Sequence, residues 1–301
     1  MRFDEATKQF LAYCDLERGF SSCTIAAYAS DLRQWRRFLA KAIPGNIPRI
    51  TDVNRQLIRK FIVHQREAGL SNATVVRRVN CLRSFWQFLD QAELVTDNPI
   101  DGIRLPKTRT ELPNYLTDEE MRRLLDAAGR THYANLASRD GAVIGMFLFA
   151  GLRRQELINV HVPDVNWEDG IIRVRHGKGG RMRVIPMVRE LQDFLEAWLT
   201  ERPQCHHDFL FSNREKQPLA TRAVALTFKR AERMADMDRP EVAVHTLHHS
   251  FACALLHGGP SVVAIRRSMG HASLDTTLIY LHVTGVELEE AVAAHSLCGA
   301  K

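Results

Sequence analysis

Residues Val244 to Val283 read VHTLHHSFACALLHGGPSVVAIRRSMGHASLDTTLIYLHV. His245, His248, His249, His271 and Tyr280 stand in this one stretch, between apolar segments whose spacing predicts helices. Titratable side chains this dense inside core-like sequence point to a site. A helix opened by Ser273, an N-cap residue type just after Gly270 and His271, would put Leu274, Leu278 and Leu281 on one face. Tyr280 would then stand roughly 100° from the centre of that apolar stripe. A tyrosine serving packing alone would more often join it.

Upstream, Ala150 to Leu157 (AGLRRQEL) places Arg153 just past an apolar run that Gly151 stops, at the mouth of a new helix, with Glu156 a turn later. The run itself, Ala142 to Ala150 (AVIGMFLFA), is apolar on all sides and predicts a buried helix. Thr117 with Glu120 forms a capping box at the head of LTDEEMRRLLDAAG, and Gly129 closes it. From Ile158 to Met187 the period changes. VHVPDVNW, GIIRVRHGKGG and RMRVIPM alternate apolar residues around Gly177, Gly179 and Gly180, which predicts three short antiparallel strands with Lys178 at a glycine-rich turn.

The first hundred residues predict a small all-helical domain. Asp4 to Arg18 carries Phe10, Leu11 and Leu16 as apolar positions, and the helix after Ser21 and Ser22 carries Ile25, Tyr28, Leu32, Trp35 and Leu39. A third helix, from about Asp52 to Ala68, points Val53, Leu57, Phe61 and Ile62 inward. A fourth, from Asn72 to Asp90, does so with Val75, Val79, Leu82, Phe85 and Leu89. Arg33, Arg36, Arg37, Arg55, Arg59, Lys60, Arg77, Arg78 and Arg83 are left for outward faces, where they suit phosphates along a duplex. Asn98-Pro99 and the proline-bounded LPKTRTELP (Leu105 to Pro113) form a polar connection. The expected division is therefore a domain over 1–103, a linker over 104–113 and a second domain over 114–301.

Composition agrees with two globular domains: 301 residues, 45% hydrophobic and 25% charged. The net charge of +6 is uneven, with 18 Lys and Arg against 11 Asp and Glu over residues 1–110 and 23 against 24 over the rest. A basic module beside a near-neutral one is the footprint of a nucleic-acid clamp. No apolar run approaches the roughly 20 residues of a membrane span, and MRFDEATKQF mixes both charges, unlike a signal peptide. The six cysteines lack any CxxC pair, which predicts reduced thiols and a cytoplasmic protein. Cys205-His206-His207 lacks further ligands at useful spacing, so no metal is expected there.

Taken together, HTLHHSFACALL (His245 to Leu256), MGHASLDTTLIYLHV (Met269 to Val283) and AGLRRQEL resemble the three motif blocks of the tyrosine recombinases, nearest to their two-domain, Xer-like and integrase-like branch. GFSSCTIAAYASDLRQWRRFL, from Gly19, resembles the opening of that family's core-binding domain. The fold class implied is mainly α (α+β). It pairs an all-helical N-terminal core-binding domain with a mostly helical catalytic domain holding a small three-stranded antiparallel sheet.

The resemblance implies that Tyr280 attacks a DNA phosphodiester and stores the bond energy as a 3′-phosphotyrosine, so no cofactor is expected. It implies that Arg153 clamps the non-bridging oxygens, Lys178 protonates the leaving 5′ oxygen, His245 acts as base or oxygen donor, and His271 adds a hydrogen bond. The functional groups suit these tasks. Phosphoryl transfer asks for an in-line nucleophile, positive donors and an acid, a guanidinium binds two oxygens at once, and a phenol with a pKa of about 10 needs a base or positive surroundings. His249 reads as a structural hydrogen-bonder. The implied partners are double-stranded DNA with paired half-sites and further copies of the chain, four on two duplexes, joined through the amphipathic C-terminal VELEEAVAAHSL.

One position departs from the family pattern. Its second block is His-x-x-Arg, and here the sequence is His245-Thr246-Leu247-His248. An imidazole has at most two donors and a reference pKa of about 6.5, so it cannot reproduce a guanidinium clamp. Losing a donor of the oxyanion-hole type costs about 10² to 10³ in rate, or roughly 3 to 4 kcal/mol. Slow or undetectable strand cleavage is expected, with DNA binding kept and partial recovery in acid. The rival expectation is a silent DNA-binding or architectural protein of the same fold. A zinc hydrolase built on the histidines lacks the glutamate of HExxH, and a type IB topoisomerase would lack the integrase-like first domain.

Overall fold

In the computed structural model, the described residues are 1–43, 49–105, 113–130, 134–175, 182–259, 261–270, Thr277 and Tyr280. The chain divides into two compact units, Met1–Thr110 and Glu111–Lys301.

The first unit is helical: α1 (Phe3–Leu16), α2 (Ser22–Ala42), α3 (Arg55–Glu67) and α4 (Asn72–Gln91). Ser21, Asn54 and Ser71 open the last three, each side chain accepting a backbone N–H of the first turn. Buried Phe3, Ala6, Phe10 and Cys14 step along α1 at helical intervals, so Leu16 is left 83% exposed rather than joining the core as its hydrophobicity suggested. In α3 the inward stripe is Ile58, Phe61 and Gln65, while Leu57 and Ile62 are only half-buried. Trp35, Phe85 and Trp86 fill the centre.

The basic residues of this unit differ in what they hold. Arg33, Arg37, Arg55, Arg59 and Lys60 are exposed, as is Arg36, which pairs with Asp4 at 2.6 Å. Arg77 and Arg78 of α4 reach the buried Asp31 of α2, and Arg78 also donates to Gln65 at 3.2 Å. Arg83 is half-buried and donates to Asn80 and to the carbonyl of Ile103. Arg78 and Arg83 therefore depart from the expected outward placement: Arg78 is drawn to the buried Asp31 and Gln65, and Arg83 to the Ile103 carbonyl.

The second unit is mostly helical, with one small sheet. Helix α5 (Asp118–Gly129) starts on the Thr117–Glu120 capping box, and the apolar α6 (Ala134–Ala150) lies among α5, α8, α9 and α10. The short α7 (Arg154–Ile158) leads to β1 (Val165–Asn166), β2 (Ile171–Val174) and β3 (Arg183–Pro186), antiparallel in the order β1-β2-β3, with Ile172 opposite Ile185. Helices α8 (Arg189–Glu201), α9 (Thr221–Met234), α10 (Val244–His257) and α11 (Val262–Met269) follow. Thr277 and Tyr280 are helical and buried. Among the described residues no helix is long and apolar enough to cross a membrane.

Candidate active site around Tyr280

Two glycines bracket the site. Gly151 ends α6 at φ +58°, and a Cβ there would lie 2.1 Å from the Phe251 ring of α10. Only glycine lets the chain turn so close to α10 before Leu152 and Arg153. Gly270 caps α11 at φ +63°, and a Cβ there would meet Arg183 Nη1 at 2.8 Å.

Arg153 is the N-cap of α7, and its backbone N–H donates to Glu156 Oε2 at 2.8 Å. Its guanidinium donates to Glu156 Oε1 at 3.0 Å and to the Gly270 carbonyl at 3.5 Å. Glu156 is 4% exposed and is held from a second side by Arg183, whose Nη1 and Nη2 donate at 2.7 and 2.8 Å. Arg183 Nε donates to the Ser268 carbonyl at 2.9 Å. Burial pushes the Glu156 carboxyl up, but Arg183 first, with Arg153, outweighs it and leaves the pKa below the usual range. Sequence reading missed Arg183. The available signal was an arginine inside an alternating strand together with a glutamate at an inward position of α7. On β3 the usual polarity is inverted: Val184 is 54% exposed while the Arg183 side chain is 8% exposed.

Helix α10 groups three of its imidazoles, with ring centroids 4.5 Å apart for His245 and His249 and 5.7 Å for His245 and His248. His248 is buried, and its Nδ1 lies 2.7 Å from the Gly151 carbonyl. A carbonyl only accepts, so Nδ1 carries the proton. His249 Nδ1 lies 2.7 Å from the Tyr280 hydroxyl, so the hydrogen-bonding role expected of His249 is directed at that phenol. Tyr280 is 3% exposed and belongs to a cluster with Phe251, Cys253, Ile265 and Met269. Burial pushes its pKa up, Cys253 adds to this, and Arg153 opposes it. Desolvation, then Arg153 and Arg154, lower the pKa of His245. Because His245 as a whole residue is exposed, the arginines' charge is the better supported cause. The structure thus brings Arg153, His245, His248 and Tyr280 into one region. Lys178 and His271 lie outside the described residues, as does the helix start expected at Ser273.

Residues 114–286 match the phage integrase family, and residues 7–93 match the phage integrase N-terminal SAM-like domain. The chain belongs to the phage integrase family of tyrosine recombinases. It is 31% identical over 292 residues to the tyrosine recombinase XerD of Halalkalibacterium halodurans, covering 95% of each chain. It is 33% identical over 287 residues to XerD of Chlorobaculum tepidum, covering 91% of this chain and 90% of that one. Among solved structures, the XerH site-specific recombinase bound to its difH substrate, a pre-cleavage complex, is 25% identical with a TM-score of 0.73, covering 96% of this chain and 84% of that one. The Tn1549 transposon integrase in complex with transposon right end DNA shares the fold with a TM-score of 0.76 at 18% identity. As a tyrosine recombinase, the chain has its motif blocks in the expected order.

Proposed function

We propose that this chain is a site-specific DNA recombinase that cuts and rejoins strands through a 3′-phosphotyrosine on Tyr280, with the chemistry slowed by His248. The observation that carries the reading is the placement of Tyr280. Its hydroxyl is hydrogen-bonded to α10, the helix that bears the second motif block, and lies within the electrostatic reach of Arg153. In this reading Arg153, already oriented by Glu156, holds the non-bridging oxygens of the scissile phosphate. Lys178 protonates the 5′ oxygen, and His245 and His271 donate to the phosphate. The exposed Arg33, Arg37, Arg55, Arg59 and Lys60 face the duplex backbone, with the first unit acting as a clamp. Paired half-sites imply four copies on two duplexes, linked by residues 287–301.

His248 favours a second reading, a DNA-binding protein without strand cleavage. Nδ1 donates its proton to Gly151, so in a neutral ring the other nitrogen can only accept and offers nothing to a phosphate oxygen. Covalent trapping separates the two. Duplexes selected for binding are nicked near the preferred site and incubated with the chain, with His248→Arg and with Tyr280→Phe. The recombinase reading expects a Tyr280-dependent adduct, faint in the chain as it stands and about 10²-fold faster with His248→Arg. Binding with no adduct from either version overturns it in favour of the binding protein.

A further inference from the structure

We infer that His249 is the group that takes the Tyr280 proton during strand cleavage, a task the family resemblance gives to His245. The inference rests on the reading of Tyr280 as nucleophile. A phenol with a reference pKa of about 10 is protonated at neutral pH, and the burial of Tyr280 makes its ionisation harder still. The proton must therefore leave as the new bond to phosphorus forms, to a base about 2.6–3.2 Å from the oxygen. His249 Nδ1 meets that requirement at 2.7 Å. The helix that carries the ring is anchored beside it, since the adjacent Ser250 donates to the Thr246 carbonyl at 2.8 Å and accepts from the Leu116 N–H at 2.8 Å.

In the forward step Tyr280 Oη bonds to phosphorus, the bond from phosphorus to the 5′ oxygen breaks, and the phenolic proton passes to His249 Nδ1. The 5′ oxygen takes its proton from a separate acid, Lys178 in the reading above. On rejoining, the 5′ hydroxyl attacks and gives its proton back to the group that supplied it, Lys178 in the reading above, the bond from phosphorus to Oη breaks, and His249 returns the proton to Oη. Nothing is oxidised or reduced. The imidazolium forms 4.5 Å from the His245 ring. Arg153 and Arg154 help keep that ring neutral, so the new charge does not meet a second one there.

The test measures single-turnover adduct formation on a nicked duplex whose scissile phosphate carries a 5′-bridging sulfur, a leaving group that needs no proton donor. His249→Asn keeps a hydrogen-bonding group near the Nδ1 position without basicity, and His249→Ala opens a space that added imidazole can fill. The expected result is a fall of about 10²-fold or more in both variants, with DNA binding unchanged and imidazole restoring part of the rate in His249→Ala. An Asn variant within about threefold of the parent chain overturns the inference. So does a loss of rate without imidazole rescue and with a lowered melting temperature, which marks a structural contact. If no version forms an adduct on DNA that it binds, the nucleophile reading fails. The contact itself is then decided by ¹⁵N NMR of His249. An unprotonated Nδ1 whose resonance moves in Tyr280→Phe keeps His249 as acceptor, and a protonated Nδ1 overturns it.

Discussion

Replacing Arg183 with Met removes a guanidinium while keeping most of its apolar stem. Glu156, 4% exposed, loses bonds of 2.7 and 2.8 Å and keeps the Arg153 guanidinium at 3.0 Å and the Arg153 N–H at 2.8 Å. Removing one partner of a buried ion pair costs about 3–5 kcal/mol, because a charge is left uncompensated. Arg153 still offsets part of that charge, which places the expected loss near the low end, about 3 kcal/mol. The pH dependence follows from the carboxyl. In the parent chain its folded pKa is lowered, so Glu156 contributes stability above the unfolded value of about 4.3, and the contribution is lost as pH falls through the folded pKa. Without Arg183, burial wins and the folded pKa rises above the unfolded one. Ionised Glu156 then destabilises at neutral pH, and the penalty fades as acid protonates it. The stability gap between the two proteins therefore narrows from pH 7 towards pH 4. Urea unfolding of the full chain at both pH values, fitting the transition of the second unit separately, measures the gap. A loss below about 1 kcal/mol at pH 7, or a gap that widens in acid, would refute the reasoning.

Gly151→Ala combines a left-handed backbone with a Cβ placed 2.1 Å from Phe251, so a loss of about 2–4 kcal/mol is expected, read as a lower melting temperature. Asp31→Asn should behave differently. Burial raises the Asp31 pKa despite Arg77 and Arg78, so the carboxylate is held ionised at a cost, and the first unit should gain stability as pH falls through its folded pKa. The amide removes that cost, and the Arg77 side chain, 52% exposed, can turn to water. A change within about 1 kcal/mol is expected in urea unfolding, and a loss of 3 kcal/mol or more would contradict it.

Local signals were legible where one segment settles its own structure. Thr117 and Glu120 sit within a turn of each other and marked the start of α5, and the spacing of Val75, Val79, Leu82, Phe85 and Leu89 marked α4 to within a residue at its end. Helical spacing also explains the one apolar residue misplaced in α1. Phe3 and Ala6, the second of them small and weakly hydrophobic, set the buried stripe that leaves Leu16 outside. The site was legible as residue types but not as pairings. Arg183 meets Glu156 across 27 positions, His249 meets Tyr280 across 31, and His248 meets Gly151 across 97. Nothing in a single sequence says which of the four histidines on α10 a distant tyrosine will meet. That choice depends on where the following segment returns.

The same argument changes what an arginine at position 248 would do. In the proposed reading His248 withholds a donor from a bound phosphate, yet its Nδ1–H also holds the Gly151 carbonyl, two residues before Arg153 and at the turn that packs on Phe251. A guanidinium has donors enough for both tasks, but its stem places them farther from α10 than an imidazole does. If the arginine reaches past Gly151 to the phosphate, the carbonyl loses its buried partner at a cost of about 1–3 kcal/mol. His248→Arg should then be faster in adduct formation and less stable than the parent chain. A variant that gains rate with no loss of stability would mean that the Gly151 bond contributes little and that position 248 acts through the phosphate alone.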